Sequence, residues 1–299
     1  MKSLEQVLPL RCQGESLIGV LSRPAGAGSA QESDTAVLII VGGPQYRVGS
    51  HRQFVLLARR LAEAGHATLR FDHRGLGDSG GALRSFEQLD EDIGAALDAL
   101  QQAQPACRRV VLWGLCDAAS AALLYCQRRR DPRVAGLCLL NPWVRSAVSQ
   151  ARTQVKHYYL QRLLSRGFWG KLLRGGVALS APLELFRALL RMRGGRMAGQ
   201  ASMAYQERMA EGWLGFAGPI LLQLSELDYT AREFIEYAQG SPLWSRALQR
   251  QGLRRELLKG ADHTLSLSSA RREAENQLLD WLKQLGSAPA LPHPPSANA

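Results

Sequence analysis

Three residues far apart in the chain carry the side chains that acyl transfer needs: a thiol, an imidazole and a carboxylate. The thiol is Cys116, in Gly114-Leu115-Cys116-Asp117-Ala118, preceded by the apolar run Val110–Trp113 and followed by the small-residue stretch Ala118–Ala122. This spacing predicts a strand that turns sharply into a helix with Cys116 on the turn. The residues two positions away on either side are small, which the close approach of the two backbones requires. The turn would present the thiol at the positive end of the new helix, where the reactive thiolate is favoured. A thiolate so placed attacks an ester or thioester carbonyl, provided a base and a residue that orients the base lie nearby.

Two later loops offer those groups. After the apolar run Ile220–Leu224 comes Ser225-Glu226-Leu227-Asp228-Tyr229, and after Arg254–Leu258 comes Lys259-Gly260-Ala261-Asp262-His263-Thr264. His263 is the candidate base and Asp228 the candidate orienter. Glu226 competes with Asp228, whereas Asp262 adjoins His263 too closely to reach around its ring. His66 and His73 flank a strand and read as structural. Cys12, Cys107, Cys126 and Cys138 lack any such turn, and no C-x-x-C pair is present. A tetrahedral oxyanion also needs backbone donors. The Gly42-Gly43-Pro44-Gln45 loop can supply one from Gly43, since Pro44 has no N–H. Asp117, after the nucleophile, can supply the other, with Gln45 as the alternative.

These residues need a rigid frame, and the hydropathy pattern predicts one. Strands at Gln6–Arg11 and Ser16–Leu21 around Gln13-Gly14 read as an antiparallel hairpin. Short apolar runs at Ala36–Val41, Ala67–Phe71, Val110–Trp113, Val134–Leu140, Ile220–Leu224 and Arg254–Leu258 then alternate with helical spacings at Phe54–Ala64, Phe86–Ala103, Ala118–Cys126, Ala231–Gln239 and Ala270–Leu285. Alternation of this kind implies an α/β fold: a mostly parallel central sheet with helices on both faces. Residues 1–142 and 217–285 would form this core. Residues 143–216 contain no convincing strand and read as a helical lid insertion, and 286–299 as a disordered tail rich in Pro, Ala and Ser.

The chain is 46% hydrophobic, enough to bury a core, and has no apolar run long enough to cross a bilayer. No signal-peptide pattern opens it, so a cytoplasmic location is expected. The net charge of +11 suggests a nucleic-acid partner until its distribution is examined. Between Arg145 and Arg196 there are eleven Lys and Arg against Glu184 alone. One basic module on a near-neutral body points to an anionic substrate or a peripheral membrane surface rather than to nucleic acid. Arg162, Arg166 and Lys171 are its candidate substrate contacts. Tyr158, Tyr159, Phe168 and Trp169 among them would suit an amphipathic surface helix. With no metal-ligand cluster and no Gly-rich loop of the dinucleotide type, no cofactor is expected.

From about Ala36 to Leu285 the chain resembles the α/β hydrolases, in which nucleophile, acid and histidine follow one another in this order. Phe71-Asp72-His73-Arg74-Gly75-Leu76-Gly77-Asp78-Ser79 is similar to a loop common in that fold, where Asp72, Arg74 and Asp78 would be structural. Gly42 to Arg52, Gly114 to Ser120 and Ala261 to Thr264 resemble, more narrowly, the hydrolase 1 proteins of bacterial exosortase A systems, which accompany exopolysaccharide genes. The resemblance implies a hydrolase with a triad of Cys116, His263 and Asp228; a small-molecule, lipid or glycan acyl substrate is the partner expected of that chemistry. Cys116 departs from the usual Ser, and Ala118 from the usual Gly. The same triad would also serve an acyltransferase, and a scaffold retaining the fold without activity is a third reading.

Overall fold

The computed structural model describes residues 3–25, 33–145 and 203–287. Arg162, Arg166, Lys171 and nearly all of the expected lid lie outside the described residues, as does the tail beyond Ser287.

The chain opens with β1 (Ser3–Cys12) and β2 (Glu15–Pro24), a hairpin in full antiparallel register. Its two-residue turn, Gln13-Gly14, has positive φ at both positions, 48° and 86°, the turn geometry whose twist matches that of paired strands. Six parallel strands follow: β3 (Thr35–Ile40), β4 (Thr68–Phe71), β5 (Arg109–Leu115), β6 (Val134–Leu140), β7 (Ile220–Ser225) and β8 (Leu253–Leu258). They form one eight-stranded sheet in the order β1-β2-β4-β3-β5-β6-β7-β8, in which only β2 runs against the other strands.

Period-two packing explains why the central strands read as continuous apolar runs. Ala36, Leu38 and Ile40 of β3, with Val110 and Leu112 of β5, face α2 (Asp90–Ala103) and α3 (Asp117–Arg129). Val37, Ile39, Val111 and Trp113 face α1 (Gln53–Glu63) and α7 (Ser268–Ser287) on the other side. Both sides are dry, so neither could be polar.

The structure redraws one boundary. The sequence reading assigns everything to Phe216 to the insertion, but α4 (Tyr205–Gly215) packs along α3 as part of the sheet-covering layer. Trp213 of α4 is fully buried with Phe234 of α5 (Tyr229–Gln239) and Trp244 of α6 (Pro242–Ala247), the ring centroids lying 5.2–6.4 Å apart. Trp143 and Val144 likewise belong to this body. The Val144 carbonyl accepts from Gln206 Nε2 at 3.1 Å, and the Gln206 carbonyl accepts from Trp244 Nε1 at 3.0 Å. The pattern hid α4 because its buried face mixes Gln206, Ala210 and Gly212 with Met209 and Trp213.

Trp213→Ala should therefore cost about 3–5 kcal/mol of unfolding free energy, the usual range for truncating a buried aromatic. Urea denaturation measures it. A cost near zero would place α4 outside the core.

Candidate active site

Cys116 lies on the turn between β5 and α3, with φ 62° and ψ −123°. A non-glycine residue rarely occupies that region, and holding it there costs about 1–3 kcal/mol. Hydrogen bonds on both sides fix it. Its N–H donates to the Leu140 carbonyl at 2.9 Å, and its own carbonyl accepts from Ala119 at 3.1 Å and from Trp143 at 3.2 Å. Ser120 completes the clip, donating through Oγ to the Trp143 carbonyl at 2.7 Å. The small flanking residues have a direct reason. A Cβ on Gly114 would stand 2.6 Å from the backbone of Ala118 and Ala119.

β5 through β8 are successive parallel neighbours, so the loops after β5, β7 and β8 leave the same edge of the sheet. Asp228 sits in the loop after β7 and caps α5, accepting from the Thr230 N–H at 3.0 Å through Oδ1. Its other oxygen lies 2.8 Å from His263 Nδ1. An ionised carboxylate only accepts, so Nδ1 carries the proton and Nε2 is the lone-pair nitrogen. The bond to Asp228 raises the His263 pKa above 6.5, burial opposes it, and the charges of Asp228, Asp117 and Asp262 add to the rise.

The competing acids are otherwise engaged. Glu226 accepts from the Gly260 N–H at 2.8 Å and so ties the two loops together. Asp262 accepts from the Ser266 N–H at 2.9 Å within its own turn. His66 and His73 are buried, their Nδ1 atoms 2.9 and 3.2 Å from the Thr35 and Arg74 carbonyls. Burial lowers both pKa values.

Sequence reasoning missed two features. Asn141, buried with φ 49°, joins the ends of β6 and β7. Its Oδ1 accepts from the Ser225 N–H at 2.8 Å and its Nδ2 donates to Ser225 Oγ at 3.0 Å. The Asn-Pro pair that ends β6 was its only signal. The second concerns the expected oxyanion donors. The Gly43 N–H is taken: it donates at 2.9 Å to the carboxylate of Asp117. The sequence reading considered only the backbone of Asp117, whereas N–H groups at a helix start attract its carboxylate as well. Gln45, the alternative donor, uses its side-chain oxygen to accept from Ser50 N–H at 3.3 Å.

The loop bearing Gly43 is held from below. The Arg47 N–H donates to Asp72 Oδ1 at 2.6 Å, and its guanidinium pairs with the same buried carboxylate. Arg74 is buried against Asp92, with its Nη2 at 2.8 Å. Ser79 Oγ accepts from Ile18 N–H at 2.9 Å and fastens this loop to the hairpin. Among the described residues no group of three His, Cys, Asp or Glu side chains could hold a metal ion. No described helix is long and apolar enough to cross a membrane.

An eight-stranded, mostly parallel sheet with a strained residue between a central strand and its helix, and a His–Asp pair on the following loops, is the α/β-hydrolase architecture. A family model described as Hydrolase_4, serine aminopeptidase, S33, matches residues 32–182, just over half of the chain, and the chain belongs to that family. Solved structures with the same fold include the Pyrococcus furiosus esterase Pf2001, at 14% identity over 94% of this chain and 91% of that one, with a TM-score of 0.61. The α/β hydrolase GrgF from Penicillium sp. sh18 has 19% identity over 95% and 100% of the two chains, with a TM-score of 0.61. XC6422 from Xanthomonas campestris, an α/β serine hydrolase without a lid, has 13% identity over 96% and 97%, with a TM-score of 0.55. No curated protein sequence matches the chain. The family description names serine, and the position on the turn here is Cys116.

Cys116 is partly exposed, whereas the other four thiols are buried. Burial pushes Cys126 up to about 12 and also raises Cys12 and Cys138. Iodoacetamide should therefore label Cys116 first in the native protein, since the thiolate is the reacting form. Peptide mapping reads the order, and faster labelling of Cys12 or Cys107 would contradict it.

Proposed function

We propose that this hydrolase-fold protein cleaves an ester or thioester through a covalent acyl-enzyme on Cys116. In the first step His263 takes the Cys116 proton, the sulfur bonds to the carbonyl carbon, and the bond to the leaving group breaks as His263 passes it that proton. In the second, water attacks the acyl-enzyme, His263 takes its proton, and the thiol is released. The observation that carries the reading is the His263–Asp228 bond at 2.8 Å, which selects the tautomer such a base requires. Three large apolar residues on loops (Tyr46, Leu227 and Leu267) and Tyr229 at the start of α5 are exposed, which supports an apolar acyl group. The motif resemblance to exosortase A system-associated hydrolases supports a link to exopolysaccharide systems. If an acceptor hydroxyl replaced water, the same steps would make an acyltransferase. Product analysis with and without added alcohols separates the two.

Intact mass after incubation with a panel of esters and acyl thioesters should show one acyl adduct, lost in Cys116→Ala. His263→Ala should lower turnover by about 10³-fold or more with the fold intact. His263 must be neutral to accept a proton from water. Its raised pKa therefore sets the acidic limb of the deacylation rate above pH 6.5, and Asp228→Asn should move that limb downward. Turnover with no adduct, or activity surviving His263→Ala, would remove the triad from the mechanism.

The basic insertion belongs to the same proposal as a lid that selects anionic substrates or rests on an anionic membrane surface. Exposed charges are screened within a Debye length of about 10 Å at 0.1 M salt. kcat/KM for an anionic acyl donor should thus fall steeply with salt, and again on charge reversal at Arg162, Arg166 and Lys171. Reactivity toward a small neutral ester should be unchanged. Equal salt response for anionic and neutral donors would reduce the module to a solvated surface.

A further inference from the structure

The carboxyl of Asp117 occupies the place where the acyl-transfer reading needs an oxyanion site. Its Oδ2 accepts from the Gly43 N–H at 2.9 Å. Its Oδ1 is closed off from solvent without a hydrogen-bond partner, although the N–H groups of Asp117 and Ala118 lie near enough to favour charge. The chain makes room for this group: a Cβ on Gly42 would fall 2.1 Å from Oδ1. Among the described residues no Lys or Arg pairs with it. Among the described residues the titratable groups around it are Cys116 beside it, His73 on the loop after β4, and His263 on the loop after β8. His73 is bonded to the Arg74 carbonyl and held toward neutrality by burial, so it supplies no fixed counter-charge.

An ionised carboxylate in this position would repel the oxyanion that forms beside it, and at short range in a partly dry site the repulsion is severe. A neutral carboxyl has the opposite effect, because its O–H is a donor. Burial of an oxygen without a partner also favours the neutral form, since an unsatisfied neutral oxygen costs less than half of a buried charge. Burial accordingly raises the Asp117 pKa against the pull of the Gly43, Ala118 and Asp117 N–H groups.

We propose that Asp117 is a further catalytic residue, a protonated carboxyl that donates its O–H to the substrate carbonyl oxygen as Cys116 attacks. This rests on the acyl-transfer reading. As the S–C bond forms, the carbonyl π pair moves to oxygen. That oxygen takes the Gly43 N–H in exchange for the carboxyl, together with the Asp117 O–H. When the pair returns, the bond to the leaving group breaks, the leaving group takes its proton from His263, and the carboxyl resumes its bond to Gly43. No proton is lost or gained overall, and no further reagent is needed.

The test compares two reactions of Cys116 over the pH range in which carboxyls and imidazoles titrate: acylation by p-nitrophenyl acetate and alkylation by iodoacetamide. Alkylation forms no oxyanion, so the ratio of the rates cancels the thiolate fraction. In the wild type the ratio should fall by about 10²-fold as pH rises through the Asp117 titration, the scale of losing one oxyanion donor. Asp117→Asn, which keeps an acceptor for Gly43 and an N–H donor, should make the ratio independent of pH. Asp117→Ala should lower it at the acid end. A wild-type ratio that is flat, the same fall in Asp117→Asn, or a ratio in Asp117→Ala above wild type at every pH would overturn the role; the last would mark the carboxylate as a plug only. Alkylation without acylation in every variant would instead overturn the acyl-transfer reading, and this role with it.

Discussion

Everything in the site hangs on how closely the β5–α3 turn can approach its neighbours. Gly114 lets the strand end press against the first turn of α3, and Gly42 lets the loop after β3 press against Asp117 and Ala118. Between them Cys116 is forced to positive φ, at a cost of about 1–3 kcal/mol. The hydrogen bonds at its own N–H and carbonyl, at about 0.5–1.5 kcal/mol each, offset that strain. Two of them come from the β6 end, Leu140 and Trp143, so the neighbouring strand holds the turn open as firmly as its own helix does. Replacing either glycine would move the backbone that carries the thiol, not merely a side chain.

The sheet carries that placement outward. Asn141 and Ser225 exchange two side-chain hydrogen bonds between β6 and β7, and Glu226 binds the loop after β7 to Gly260 after β8. The Leu227 N–H adds a bond to the Ala261 carbonyl at 2.9 Å. Asp228 is thereby fixed three times over: by the strand, by its capping bond to Thr230, and by its bond to His263. A carboxylate that must cap a helix cannot rotate freely, so the imidazole it orients inherits the rigidity of α5. Fixing the base through secondary structure keeps its geometry precise without a tightly packed pocket around it.

The parts of this arrangement legible in the sequence are those set by one-dimensional spacing. The apolar runs that became β3 to β7 were readable because both faces of the sheet are dry there, and Gly-x-Cys-x-Ala between a strand and a helix announced the turn. The order of Cys116, Asp228 and His263 followed from the strand ends. Asp228 could be preferred over Glu226 but not separated from it, because the distinction lies in a cap to Thr230 and a clamp to Gly260. Asn141 and the Asp117 carboxylate were out of reach for a different reason. Each acts on a residue of another strand or loop, Ser225 and Gly43, and only the folded sheet brings those together. The α4 boundary was lost because its buried stripe, Gln206, Met209, Ala210 and Trp213, includes a polar and a small residue, and its close approach to Leu123 of α3 is made by Gly212.

Cys116, Asp117 and His263 form one electrostatic system, which gives meaning to a cysteine in a family described for serine. If thiol and carboxyl were both ionised, two adjacent negative charges would face a single imidazolium. That imidazolium already faces the Asp228 carboxylate, so neither charge is fully offset, and the titrations are coupled and belong to the group rather than to any one residue. Asp228 raises the His263 pKa and favours the imidazolium, while burial of Asp117 favours its neutral carboxyl. An imidazolium favours an ionised Asp117 and a thiolate beside it opposes one, so the proposed neutral carboxyl depends on the thiolate. A serine hydroxyl does not ionise at rest, so no second negative charge would stand beside Asp117 to disfavour its carboxylate. On the acyl-transfer reading, Cys116 and Asp117 are therefore a matched pair, in which the softer nucleophile is what allows an acid to stand in the oxyanion site.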